Sequence, residues 1–343
     1  MRNLRRNWKL GLLVLYGAAV GSPSANAQAA KAPQTPQHIA HADLAKATRI
    51  VTLGTAAGPR SLSDRAGPAT LLQVGDRIYL IDAGAGVSHG LAKIGIQPDQ
   101  VRRIFLTHLH FDHVAGISTL LGFAWQRRPS NPIEIYGPPA THEYMTRATN
   151  LVGFTSDIYA AEMPPTPPVA KMVVAHDVDV SGPMVIYKDD LIKVTAVENS
   201  HYATIPADRR PLGAARSYAY RFDTPDRSIV FTGDTGPSEA VTQLARGADI
   251  LVAEVMEMDY TLSQLSQLFN TPVAQLRHVA EHMLQEHLSP QAVGEMAKRA
   301  GVGMVVLSHI GTGENNHDLR LFTSGVRAAY PGPVVAANDG DAF

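Results

Sequence analysis

The sequence contains no cysteine. Disulfides are therefore excluded, and so is any thiolate metal ligand. It also has almost no net charge: 30 Lys and Arg stand against 31 Asp and Glu, with a pI near 6.9. There is thus no broad electrostatic pull towards a polyanion or an acidic membrane. Basic stretches are missing too, since Arg127-Arg128 and Arg209-Arg210 are isolated pairs. The apolar run Leu10 to Val20 is too short to cross a bilayer comfortably, and no strong internal repeat stands out. What remains is ample for folding: 343 residues, 45% of them hydrophobic, enough for one large domain or two small ones. Histidine is generously supplied, with 14 copies.

The N-terminus reads as a processing segment. Arg2, Arg5, Arg6 and Lys9 precede the apolar run, and Ala25-Asn26-Ala27 gives a small-x-small cleavage pattern. Residues 1–27 are read as a signal peptide, with an uncut anchor as the alternative. Residues 28–47, with Pro33 and Pro36, are read as a flexible leader. Arg5-Arg6-Asn7-Trp8-Lys9 loosely resembles a twin-arginine export signal. The expectation is a periplasmic or secreted protein with no stable membrane insertion after cleavage. Residues 48–343 form the expected single domain, with a lid insertion near 151–182, where periodicity is poor and Pro164-Pro165-Thr166-Pro167-Pro168 is stiff.

Chemistry concentrates in Thr107-His108-Leu109-His110-Phe111-Asp112-His113. Arg103 to Thr107 reads as a short buried strand and Val114 to Leu121 as the start of a helix. The loop therefore lies at the C-terminal end of a strand, where α/β folds place their chemistry. Three imidazoles and one carboxylate so close together suit borderline-soft divalent ions, two better than one. His108 and His110 can reach one metal while Asp112 and His113 reach another. Asp82, closing the strand Arg77 to Ile81, is read as a residue that orients this loop, with direct ligation as the alternative.

At this loop the chain resembles the metallo-β-lactamase-fold superfamily, whose hallmark is His-x-His-x-Asp-His. The resemblance implies an α/β, four-layer αββα sandwich and three further ligands at strand ends. His201, after the strand Leu191 to Val197, fits as the third imidazole on the first metal. Asp234, in Gly233-Asp234-Thr235, fits the bridging carboxylate. His309, after the strand Met304 to Leu307, fits the last ligand of the second metal. Two zinc ions are the implied cofactors, although iron or manganese also suits these nitrogen and oxygen donors. The absence of cysteine argues against zinc β-lactamases that need it as a ligand.

His287, before the helix start Leu288-Ser289-Pro290, resembles the histidine that faces the substrate's anionic group in the tRNase Z branch and its arylsulfatase-like relatives. His282 and His278 compete for that role. Leu53-Gly54-Thr55, the Arg65 to Pro68 loop and Trp125 resemble the secreted arylsulfatase-like members. The expected function is an exported dinuclear-metal hydrolase of an arylsulfate ester or phosphodiester, working through a hydroxide shared by the metals. Asp112 is also placed to take or relay a proton, and His287 to donate to a non-bridging oxygen or the leaving group. The alternatives are a lactonase or β-lactamase-type hydrolase, or a non-catalytic metal- or ligand-binding protein. The expected partner is a small anionic ester, with no nucleic acid; a homodimer is left open. His38, His41, His89, His142 and His176 receive no role.

Overall fold

The computed structural model describes residues 47–162, 166–209, 215–312 and 318–343. The signal-peptide and leader readings fall on residues 1–46, outside the described residues. Among the described residues no helix is long and apolar enough to cross a membrane.

Two sheets carry the fold. The first holds β1 (Thr48–Gly54), β2 (Ala69–Val74), β3 (Arg77–Ile81), β4 (Arg103–Phe105), β5 (Ile133–Gly137) and β6 (Val173–Asp177), adjacent in that order. The second holds β7 (Met184–Lys188), β8 (Lys193–Glu198), β9 (Tyr218–Asp223), β10 (Ser228–Phe231), β11 (Ile250–Val255), β12 (Met304–Ile310) and β13 (Val334–Ala336), again in sequence order. Each sheet begins antiparallel and turns parallel, at β3–β4 in the first and at β10–β11 in the second. Parallel neighbours need crossovers, and helices supply them.

The central strands are apolar on both faces because both faces are covered. In β3, Ile78 and Leu80 pack with the helices Val87–Lys93 and Ile117–Gln126, while Tyr79 and Ile81 join the core between the sheets. In β11, Leu251 and Ala253 face the outer helices of the second half, while Ile250 and Val252 face inward. This period of two in both sheets yields three apolar layers and four structural ones, the αββα sandwich that the resemblance implies.

Phe105 marks the centre of the inter-sheet core. It is fully buried, stacked on Tyr136 at 5.3 Å and edge-on to Phe222 at 5.2 Å. It is the residue that precedes Leu106 and the metal-loop segment, so it anchors that loop against the second sheet. Phe105→Ala is expected to cost about 3–5 kcal/mol of stability. Chemical denaturation checks this; a loss below 1 kcal/mol, on the order of a surface substitution, contradicts the packing role.

Two readings change. The segment 151–182 is mostly regular: Leu151 to Ala160 completes the helix Thr141–Ala160, and Val173–Asp177 is the edge strand β6. The helix escapes a periodicity reading there because its Leu151, Phe154 and Ile158 are exposed, which hides the expected amphipathic pattern. Thr271-Pro272, a cap residue followed by an N1 proline, predicts the start of one helix, and the structure departs from that. The pair opens a single 3-10 turn, Val273–Gln275, and the α-helix begins afresh at Arg277 and runs to Glu286.

Candidate metal centre

The loop after β4 is fastened before any metal is considered. Asp82 accepts from the Thr107 backbone N at 2.8 Å and from Thr107 Oγ1 at 2.9 Å. The Thr107 carbonyl accepts from Tyr218 N in the other sheet at 2.9 Å. With its hydroxyl proton given to Asp82, Thr107 Oγ1 accepts from His108 Nδ1 at 3.0 Å. His113 Nδ1 donates to Asp82 Oδ2 at 2.9 Å, and His201 Nδ1 donates to the Glu286 carbonyl at 3.1 Å. Three imidazoles are thus tethered through Nδ1 and present Nε2 to a common space, the arrangement that fixes a ligand's tautomer.

Asp234, at the end of β10, sits in the middle of that space. Its Oδ1 lies 3.3 Å from His113 Nε2, and its Oδ2 lies 3.2 Å from His309 Nε2 and 3.9 Å from His108 Nε2. His201 Nε2 faces His110 Nδ1 at 3.1 Å, with His110 at the solvent-facing rim. Asp112 Oδ2 is 3.4 Å from His309 Nε2 and 3.7 Å from His113 Nε2. Gly58 N donates to the same oxygen at 3.0 Å, and a Cβ on Gly58 would meet it at 2.4 Å, so only glycine fits there.

Strain gathers at the same place. Asp82 and His309 have φ of 57° and 52°, in the left-handed region that side chains other than glycine rarely adopt. Such residues cost about 1–3 kcal/mol each and persist where the surroundings fix them.

These residues fit a metal. His108, His110 and His201 form one group whose donor atoms lie within 4.8 Å of one another, and Asp112, His113 and His309 form another. His108, His113 and Asp234 make a third such group, which links the first two. The Nε2 atoms of His108 and His113 and Oδ1 of Asp234 are buried with no hydrogen-bond partner, a costly state that a cation relieves.

His287 joins His201 and Asp234 in a further group, its ring 5.0 Å from that of His201. Its Nδ1 lies 2.9 Å and 3.1 Å from the two oxygens of Glu254, a buried carboxylate that also accepts from Thr235 N at 2.7 Å. Burial alone would lower the His287 pKa, but Glu254 raises it to about 9. His278 and His282 point to solvent instead, and His282 pairs with Glu286 at 3.1 Å. Glu254 is the residue the sequence reading passes over. Its signal was a lone carboxylate closing an otherwise apolar buried strand, Ile250 to Ala253. Arg65 is buried and donates to Thr55 Oγ1, the Ala337 carbonyl and Asn338 Oδ1, so it clasps the two ends of the domain.

Residues 77–310 match the family model described as a β-lactamase superfamily domain. The chain belongs to the metallo-β-lactamase superfamily. Within it the chain falls in the tRNase Z-like branch. It is 32% identical over 264 residues to a protein named Ribonuclease Z from Mycobacterium sp. (strain KMS), an alignment covering 76% of this chain and 83% of the relative. Among solved structures, it resembles the short form of human tRNase Z with a TM-score of 0.60 and 21% identity, covering 86% of this chain and 98% of that one. It also resembles zinc-bound PqqB from Methylobacterium extorquens, with a TM-score of 0.56 and 17% identity, covering 86% and 99%. The chain is a metal-dependent hydrolase of this superfamily.

These relatives overturn two expectations. The exported arylsulfate or small-phosphodiester hydrolase is not what the sequence relatives are named for, and neither is the lactonase or β-lactamase alternative; those from Mycobacterium sp. (strain KMS) and Mycobacterium marinum are both named Ribonuclease Z. The expectation of no nucleic-acid partner falls with it. The physical error lies in using the charge of the whole chain. Net charge near zero averages the entire surface, whereas an ion held in the site dominates the local field.

The site's own charges set a pH dependence. Burial keeps His108 well below the ordinary imidazole value and His201 at about 3, so both are free bases at neutral pH. His113 and His309 are also buried, yet Asp234, with Asp82 for one and Asp112 for the other, pushes them up. A metal bound beside His113 and His309 must displace protons there. As pH falls, that half is expected to lose its metal first. Calorimetry of metal binding in two buffers of different ionisation enthalpy reads the protons released. Equal proton release by both halves contradicts this.

Proposed function

We propose that the protein is a dinuclear zinc ribonuclease of the tRNase Z kind, cutting a phosphodiester in a tRNA-like precursor. His108, His110 and His201 would hold one ion; Asp112, His113 and His309 would hold the other, with Asp234 shared. Bound there, zinc supplies a Lewis acid and a water whose pKa is lowered to about 7. The chain's own residues do the rest. Asp82 and Thr107 keep His108 and His113 in one tautomer and orientation. Asp112 stays ionised, since His309 and His113 outweigh its burial, so it can take a proton from the attacking water. His287, cationic and held through Nδ1 by Glu254, keeps Nε2–H free to donate to a phosphoryl oxygen or the departing ribose oxygen.

The observation that carries this reading is the Glu254–His287 pair beside Asp234. A metal cluster alone would serve many hydrolases; a fixed cationic donor next to it suits a reaction that develops charge on phosphoryl oxygens. The relatives named Ribonuclease Z support RNA as the substrate. A precursor tRNA transcript and a DNA copy of the same sequence, incubated with zinc-loaded protein, test it. Site-specific cleavage of the RNA is expected. An uncut RNA overturns the reading.

A further inference from the structure

We propose that a groove on the first half of the molecule is the track for a single-stranded RNA flank leaving the metal centre, with Phe111 as its first base-stacking platform. The class of ligand rests on the ribonuclease reading; the track itself rests on the surface.

The groove starts at a residue of the metal cluster. A cavity of about 400 Å3 is lined by Arg60, His89, Lys93, Phe111 and Asp112. A second, of about 690 Å3, is lined by Gln97, Phe123, Gln126 and Arg127. The two share Ala85, Gly86, His89 and Ala115 and so run into one another. Phe111 stands between His110 and Asp112 and is 80% exposed, while Phe123, further along, is 50% exposed. Neither ring packs in the core, so neither is explained by folding.

Charge selects the ligand. Lys93 is exposed on the helix Val87–Lys93 and has no acidic partner among the described residues, with the exposed ring of His89 four residues before it. Arg60 donates only to the neutral Gln264 Oε1, at 3.0 Å, and keeps its charge. The acids of the groove are occupied. Asp339 accepts from Thr55 and from Ala66 N, Asp64 and Asp339 lie in the field of Arg65, and Asp112 accepts from Gly58 N and faces His309; at the far end Arg127 is paired with Asp99. On the other flank of the site, beside His110 and Tyr202, the cations are spent: Arg147 pairs with Glu143, and Arg216 with Asp179 and Glu198. Free cations interleaved with exposed aromatic rings match a strand whose phosphates and unstacked bases are both available, and a duplex offers no such bases.

Fluorescence anisotropy of a labelled twelve-residue oligouridylate on the zinc-loaded protein tests this, with a gel to check that the oligomer stays intact. Phe111→Ala is expected to weaken binding about tenfold, and Phe111→Trp to restore it. Lys93→Gln is expected to weaken binding and to lower the salt slope by about one. In cleavage, Phe111→Ala should reduce kcat/KM more for a precursor with an unpaired flank than for one trimmed flush. Wild-type-like binding by Phe111→Ala and Lys93→Gln, or no binding by the wild type, overturns the track. If the wild type binds the oligomer but cuts no RNA, the ribonuclease reading fails, and the same variants still decide the track.

Discussion

Asp234→Asn is expected to lower RNA cleavage by more than about a thousandfold and to remove at least one metal ion per chain. The substitution keeps shape and volume. It removes the one negative charge that faces His108, His113 and His309 together, at 3.9, 3.3 and 3.2 Å. Asp234 is buried and held well below the usual carboxylate range: burial pushes it up, but His309 and His113 outweigh that. Without it, both halves of the cluster lose their common carboxylate, and an amide N–H directed at an imidazole lone pair competes with any cation. Metal content by atomic emission, measured beside turnover, checks this. A variant with full metal and full rate removes Asp234 from the centre.

The second large effect concerns His287. His287→Asn is expected to lower kcat by about 10²–10⁴ while metal content stays unchanged, because the residue donates rather than ligates in this account. Its pH behaviour separates the two roles. The imidazole is cationic below about 9, so wild-type activity should fall as pH rises through that value. Glu254→Gln removes the largest charge that raises it and leaves burial, which lowers it, against the weaker pull of Asp234 and Glu286. The alkaline limb should then move down towards the ordinary 6.5. Metal loss from His287→Asn, or a limb unmoved in Glu254→Gln, contradicts the assignment.

Much of this was legible in the sequence, for reasons that differ by element. The strand Arg103–Phe105 and the loop behind it announce themselves because buried parallel strands are short apolar runs and few motifs put three imidazoles and a carboxylate together. The helix Pro290–Ala300 is legible to the residue: Ser289 accepts from Ala292 N at 3.2 Å, Pro290 opens it, and Gly301 closes it at φ 64°. Other elements stay hidden. Met258–Phe269 buries only Leu262, and its cap is the side chain of Glu257, so it shows neither a full apolar stripe nor a common cap residue. Arg320–Ala329 buries Phe322, Thr323 and Val326 at helical spacing, but one of the three is polar and the N-cap is Leu319, so no capping residue marks its start. Edge strand β7 leaves Met184 and Val185 exposed and packs only Ile186 and Tyr187 against the core, too little alternation to mark a strand.

The site divides along the same line. Residues that carry ligand chemistry stand out at strand ends. The residues that orient them act through contacts remote in sequence. Glu254 reaches His287 across 33 positions, and His201 finds its acceptor in the Glu286 carbonyl, 85 positions away. Backbone acceptors leave no mark in a sequence. The substrate was misjudged for a related reason: near-zero net charge hides local cations with no acidic partner, Arg60 and Lys93, beside a cluster built to hold cations of its own.

The most direct test is cleavage of a precursor tRNA by protein stripped with a chelator and then titrated with zinc. The account predicts no cleavage in the stripped protein and full activity only as the second equivalent is added. Cleavage that survives chelation, or a fully loaded protein that leaves the RNA intact, would contradict it.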